Sequence, residues 1–88
     1  MNSVRRIAPI EDVPNIGITL GQRLRAVGIA TPSALLRVGD AECFKRLAAR
    51  LPEEAGTHSR RALAGAVRGV RWRWLPRALR VRLKRDVP

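Results

Sequence analysis

The stretch at residues 14–29, PNIGITLGQRLRAVGI, constrains the fold more than any other part of the sequence. Pro14 restricts φ and lacks an amide donor, while Gly17 can take a turn position with positive φ. Apolar side chains then recur at helical spacing: Leu20, Leu24 and Val27. Gly28 followed by Ile29 is typical of a helix end in which the apolar residue folds back on the last turn. The stretch therefore predicts a tight turn that leads directly into a short helix.

Short apolar-periodic segments separated by glycine or proline recur through the rest of the chain. Thr31 precedes Pro32, which combines an N-cap residue with a proline at the first helical position. Gly39 ends that helix, and Asp40 is expected to cap the next one. The helices predicted from these signals span the following approximate residues: 19–27, 32–38, 41–51, 60–70 and 76 onward. No stretch alternates between apolar and polar residues for long enough to form a strand, so the predicted fold class is all-α with about five short helices.

The length of 88 residues allows one small domain with one modest core. A hydrophobic content of 45% and a charged content of 28% are typical of a globular chain. We expect residues 1–9 to form a flexible N-terminal arm and residues 10–88 to form the domain. Gly65 lies inside the fourth predicted helix, where glycine costs about 1 kcal/mol relative to alanine unless a neighbouring helix packs closely there.

The formal net charge of +11 at pH 7 is concentrated in the last third of the chain. Residues 1–57 carry a net charge of +2, whereas residues 58–88 hold ten basic residues against Asp86 alone. Sixteen of the basic residues are arginine, whose planar guanidinium binds phosphate with two hydrogen bonds. The sequence therefore predicts an anionic partner, with nucleic acid first and an anionic membrane surface or an acidic protein second.

Few residues are suited to catalysis or to metal binding. Cys43 is the single cysteine, which excludes an intrachain disulfide and favours a reducing, cytoplasmic compartment. One thiol and one histidine, His58, do not make a nucleophile, a base and an orienting third group, so we predict no enzymatic activity, no metal site and no cofactor. We interpret Cys43 as a small core or near-surface residue and His58 as a loop or capping residue. No apolar run reaches the length of a signal peptide or of a membrane-spanning helix.

The turn and the basic third together support one functional hypothesis. Free backbone amides at the start of a helix can hold a phosphate, although a turn that only joins two core helices has the same sequence pattern. A phosphate-tracking face would form if certain arginines cluster with the turn: Arg60, Arg61, Arg68, Arg71 and Arg73. Each phosphate neutralised on duplex DNA would add about 0.9 to the slope of log affinity against log salt.

The helix predicted from Pro76 supports a different hypothesis. Its apolar positions, Leu75, Leu79 and Leu83, form a narrow stripe. The stripe is surrounded by basic residues: Arg77, Arg80, Arg82, Lys84 and Arg85. With Trp72 and Trp74 beside it, that pattern suits an anionic membrane surface or an acidic groove on a partner protein. The stripe and Trp72 can equally pack on the domain, which a small core favours because it needs their apolar area.

Three strings of residues carry a resemblance to a known family: PNIG at 14–17, RLRAVGIATPSALLRVG at 23–39, and ALAGAVRGVRW at 62–72 followed by LP at 75–76. Over about residues 10–85 the chain resembles the C-terminal domain of TfoX/Sxy competence regulators. The resemblance implies an all-α fold with a helix-hairpin-helix-like N-terminal half. It also implies a role linked to DNA and to activation of competence genes beside an activator of the cyclic-AMP-receptor type. The separate N-terminal α/β domain of full-length regulators is not part of the resemblance, so we do not expect the function of a complete regulator.

The leading hypothesis is a non-catalytic module that contacts the backbone of nucleic acid, most simply double-stranded DNA. Its expected contacts are the backbone amides of Ile16, Gly17, Ile18 and Thr19 and the side chains of Arg23, Arg60, Arg61, Arg68 and Arg71. No residue pattern indicates base readout, so specificity is expected to come from a partner such as a transcription activator or RNA polymerase. Two alternatives stay open: an interaction adaptor whose turn is purely structural, and association with an anionic membrane surface. The oligomeric state is not predicted.

Overall fold

Five α-helices joined by short turns make up the structure, a computed structural model that describes residues 8–88. The helices are α1 (Ile18–Ala26), α2 (Pro32–Val38), α3 (Asp40–Arg50), α4 (Thr57–Arg68) and α5 (Arg77–Lys84). Three 3₁₀ turns, Ile10–Asp12, Pro52–Glu54 and Trp72–Trp74, complete the secondary structure, and residues 8–88 contain no strand. The all-α prediction is confirmed. Most of the predicted arm, residues 1–7, lies outside the described residues. None of the five helices is long and apolar enough to cross a bilayer.

Local signals place most helix ends where the sequence predicts them. The hydroxyl of Thr31 accepts a hydrogen bond from the amide of Ala34 at 3.1 Å, which is the expected N-cap of α2. Gly28 has a φ of +86°, and the amide of Ile29 donates back to the carbonyl of Leu24 at 2.8 Å, as expected for a glycine-ended helix. The start of α3 differs from the prediction because Asp40 is its first helical residue and Gly39 its cap.

Helix α4 lies between the two apolar clusters of the fold. The larger cluster joins side chains from α1, α2, α3 and α4, with Leu24, Leu35 and Leu47 among its fully buried members. The smaller cluster joins Ala64 of α4 to Leu75 and Leu83, so the leucine stripe of α5 packs on the domain. Because both sides of α4 are covered, its middle consists of small residues plus one leucine, all buried: Ala62, Leu63, Ala64, Gly65 and Ala66.

Candidate functional site

The turn at residues 14–17 is called the PNIG turn below. The side chain of Asn15 joins it to the middle of α4 and to the residues that follow the C-terminal end of this helix. The Asn15 amide nitrogen donates to the carbonyls of Ala62 at 3.3 Å and Val70 at 2.9 Å, and its amide oxygen accepts from the amide of Trp72 at 3.0 Å. Asn15 also takes the positive φ of the turn, +72°, whereas Gly17 is extended with a φ of −89° and a ψ of −173°. Gly17, which was available for a positive-φ position, does not use it. Asparagine is among the few residues with a side chain that adopt this conformation readily.

The backbone amides predicted to hold a phosphate fall into two groups. The amide of Ile16 donates to the carbonyl of Val13 at 3.4 Å, and the Ile16 side chain is buried, so this position is not available to a ligand. Gly17, Ile18 and Thr19 lie at the start of α1, where no side chain caps the helix and no acceptor for these amides occurs among residues 8–88.

A groove of about 440 Å³ runs along the PNIG turn, and its charges are mixed. Arg71 lines this groove, but so do Glu11 and Asp12. Glu11 is held by two hydrogen bonds from Arg25, one of them 2.7 Å long, and this pairing lowers the pKa of the Glu11 carboxyl. Asp12 is exposed and has no cationic partner among the described residues, so a phosphate in the groove would face a second negative charge. The groove is not suited to anion binding by the amides alone.

Arg60, predicted to track phosphates, is instead buried in an ion-pair cluster. Only 4% of the residue is exposed. Its guanidinium lies 2.6 Å from the carboxylate of Asp40 and 2.8 Å from that of Asp86, with its central carbon 5.9 Å from the centre of the Phe44 ring. Burial acts to lower the pKa of Arg60, but the two carboxylates together outweigh that effect and raise it. This placement corrects the assignment of Arg60 to the phosphate face.

Replacing Arg60 with methionine is expected to lower the free energy of unfolding by about 2 kcal/mol. Asp40, whose side chain is 18% exposed, would keep only the more distant guanidinium of Arg68 at 3.8 Å, whereas Asp86 at 49% exposed can be rehydrated. Urea denaturation followed by circular dichroism measures the change. The matched control is Arg71→Met, which removes an exposed cation without an ion-pair partner in the described residues and should change stability by less than about 0.5 kcal/mol. A loss in the control as large as that of Arg60→Met would contradict the assignment.

The remaining predicted arginines, apart from Arg71, bind other groups of the domain. Arg23 pairs with Glu54 at 2.8 Å. Arg61 donates two hydrogen bonds to the carbonyl of Arg80, and Arg68 donates to the carbonyl of Ala64 at 2.8 Å. Arg71 alone among the predicted arginines lines the groove beside the PNIG turn. The structure therefore does not bring the predicted arginines together into one phosphate-tracking cluster around the turn.

A different set of cations forms the most basic surface. Six residues after α4 are exposed and have no carboxylate within ion-pair distance among the described residues: Arg71, Arg73, Arg77, Arg82, Lys84 and Arg85. On α5 the inward positions are Leu79 and Leu83, so Arg77 and Lys84 lie on the opposite face together with half-exposed Val81. The one acidic residue of this segment, Asp86, is engaged by Arg60. We call these six residues the C-terminal basic surface.

Sequence reasoning assigned most of these six residues to the membrane or partner-protein hypothesis rather than to the phosphate face. The charge count of residues 58–88 was the signal that could have found them. It could not separate them from Arg60, because a buried and an exposed arginine are identical in sequence.

Cys43 and His58 have different environments. Cys43 is fully buried in the larger cluster, and burial raises the pKa of its thiol to about 11, so the thiol is protonated at neutral pH. His58 lies in the first turn of α4, not in a loop, and its ring meets the ring of Trp72 edge-on at 5.9 Å. Among residues 8–88 no group of three histidine, cysteine or acidic side chains is placed to hold a metal.

Comparisons with known proteins identify the family of this chain. The family model of the TfoX C-terminal domain matches residues 7–87. The chain belongs to the TfoX C-terminal domain family. A search of curated proteins returned no match.

Two solved structures from Listeria monocytogenes share the fold of this TfoX C-terminal domain. One is a triclinic crystal form of an uncharacterized protein, with a TM-score of 0.84 and 38% identity, covering 91% of this chain and 90% of that one. The other is a tetragonal form of a protein of unknown function, with a TM-score of 0.82 and 37% identity, covering 89% of this chain and 94% of that one.

Proposed function

We propose that this TfoX C-terminal domain is a non-catalytic module that binds the backbone of nucleic acid through its C-terminal basic surface. The observation that carries the proposal is the cluster of six exposed, unpaired cations between Arg71 and Arg85, with no free carboxylate in the same segment. Five of the six are arginine, which suits bidentate contact to phosphate oxygens. A surface of this kind adds affinity by releasing counterions from the nucleic acid.

The burial of Arg60 supports the same proposal indirectly. Arg60 pairs with Asp86 at 2.8 Å, which partly offsets the only acidic charge of residues 58–88. The proposed contacts therefore move away from the amides of the PNIG turn and toward the tryptophan turn (Trp72–Trp74) and α5. We extend the proposal to a cytoplasmic accessory in transcription or competence control, in line with the family, with sequence specificity supplied by a protein partner.

An adaptor function is the second candidate, and one observation favours it. Val81 is 51% exposed in the middle of the outer face of α5, between Arg77 and Lys84. An apolar anchor within a basic rim suits an acidic groove on a transcription regulator or polymerase.

Neutralising two cations of α5 and the arginine that follows it tests the proposed function. The triple variant Arg77→Gln, Lys84→Gln and Arg85→Gln is expected to weaken binding to a fluorescent DNA duplex. The slope of log affinity against log salt concentration should decrease in magnitude by about 0.9 for each phosphate that the variant no longer neutralises. Fluorescence anisotropy across a salt titration measures both quantities.

The matched control is the triple variant Arg37→Gln, Lys45→Gln and Arg50→Gln. It removes the same charge from exposed residues that have no ion-pair partner among those described and lie on or next to α2 and α3. Equal losses in both variants would show a general charge effect without a defined surface, and an affinity insensitive to salt would refute the proposed mechanism. Retained DNA binding with loss of a captured protein partner would favour the adaptor.

A further inference from the structure

The two tryptophans of the tryptophan turn have opposite environments. Trp72 packs with Leu79 against the smaller apolar cluster of Ala64, Leu75 and Leu83. Trp74, two residues later, is 75% exposed, the largest exposed fraction among the large hydrophobic side chains of residues 8–88. The fold therefore packs the indole of Trp72 against the smaller cluster, whereas the indole of Trp74 is exposed to solvent.

The backbone that carries Trp74 is held on both sides. The amide of Trp74 donates to the carbonyl of Arg71 at 2.9 Å, and the amide of Leu75 donates to the carbonyl of Trp72 at 3.1 Å. Leu75 is buried, and the amide of Trp72 is bound by Asn15. The exposed indole is thus attached to an ordered segment, which reduces the entropy lost when a ligand binds to it.

The surroundings of Trp74 are cationic. Arg71 is the residue before the 3₁₀ turn, and its carbonyl accepts the hydrogen bond from the amide of Trp74, which keeps the two residues close. Arg73 precedes Trp74 directly, and Arg77 begins α5 just beyond it. All three arginines are exposed, and none has a carboxylate partner within residues 8–88. A ligand that suits this arrangement combines a flat aromatic group with adjacent negative charge.

Neither a bilayer nor a DNA duplex matches that combination as well as a single strand does. The leucines of α5 are directed into the smaller apolar cluster, which leaves Val81 as the large apolar side chain on its outer face, too little for a helix lying in a membrane. In a duplex the bases are already stacked on each other and cannot stack on an exposed indole. An unpaired base with its flanking phosphates supplies both the flat aromatic surface and the charge.

We propose that Trp74 is a stacking platform for an unpaired base of single-stranded nucleic acid, with Arg71, Arg73 and Arg77 contacting the adjacent phosphates. The inference rests on the proposed function and narrows it, because it makes single-stranded nucleic acid the preferred ligand. Every base has a flat π-face, so the platform tolerates any sequence.

The test compares Trp74→Ala with the unchanged protein on three probes of equal length: oligo-dT, an abasic oligonucleotide and a DNA duplex. The abasic strand carries phosphates without bases, so it reports charge contacts alone. Trp74→Ala is expected to weaken binding to oligo-dT about tenfold and to leave binding to the other two probes unchanged. In a Trp72→Phe background, where Trp74 is the single tryptophan, oligo-dT should quench the fluorescence and the abasic strand should not.

The possible outcomes separate the inference from the function on which it rests. Equal loss on all three probes, or no loss on any, would overturn the stacking platform while leaving backbone binding intact. Failure of the unchanged protein to bind any oligonucleotide at low salt would overturn the proposed function itself. A blue shift of Trp74 emission on phosphatidylserine vesicles, without quenching by oligo-dT, would overturn the inference in favour of a membrane surface.

Discussion

Replacing Asn15 with alanine is expected to lower the free energy of unfolding by about 3 kcal/mol, one of the two largest effects of a single substitution that we predict. The change removes three hydrogen bonds that join the PNIG turn to Ala62, Val70 and Trp72. Each bond contributes about 1 kcal/mol, and the positive φ adds a cost for alanine, while water can replace the exposed bond to Val70. Urea denaturation followed by circular dichroism measures the loss.

Asn15→Gly is the control that separates the two contributions to this loss. Glycine adopts a φ of +72° without strain, so it loses the hydrogen bonds but not the backbone preference. We expect Asn15→Gly to be more stable than Asn15→Ala by about 1 kcal/mol and less stable than the unchanged protein. An Asn15→Ala variant within about 0.5 kcal/mol of the unchanged protein would show that the turn does not depend on this side chain.

Gly65→Ala is expected to lower the free energy of unfolding by about 2–3 kcal/mol, although helix propensity alone predicts a gain of about 1 kcal/mol. A Cβ at Gly65 would lie 2.5 Å from the Asn15 amide nitrogen, 2.7 Å from the carbonyl oxygen of Val70 and 3.2 Å from the Cα of Trp72. Two of these atoms belong to the backbone, and Asn15 is held by its own hydrogen bonds, so the neighbours cannot move aside cheaply. The sign of the measured change decides between the two expectations.

Gly21→Ala is the matched control, because Gly21 is the other glycine inside a helix. A Cβ there would meet only the side chain of Glu11, whose carboxylate can rotate away at the cost of its surface pair with Arg25. We expect a change within about 0.5 kcal/mol, since the gain in helix propensity offsets the broken pair. Gly65→Ala should also be less costly in an Asn15→Gly background, because the nearest contact is then absent. Simple additivity of the two changes would contradict the close packing.

The helix pattern could be predicted because its signals are local. The N-cap at Thr31 and the helix end at Gly28 each depend on residues within one turn of the chain, and the structure confirms both. The sequence allowed for a neighbouring helix packed closely on Gly65. The close neighbours are instead the side chain of Asn15, which lies fifty residues away in the chain, and the backbone of Val70 and Trp72. The sequence could not show that Asn15 rather than Gly17 takes the positive φ, because glycine permits that conformation without requiring it.

The candidate site, unlike the helix pattern, depends mainly on tertiary contacts. From the charge count the sequence determined that the last third of the chain is strongly basic, and from three motifs it determined the family. Only the tertiary structure decided which cations face solvent. The packing of α4 between two clusters brings Asp40 and Asp86 to Arg60, whereas Arg71 and the cations of α5 are left without partners in the described chain. The physical reason is that the burial and ion pairing of a side chain depend on residues brought together from distant parts of the chain. A local sequence pattern does not contain that information.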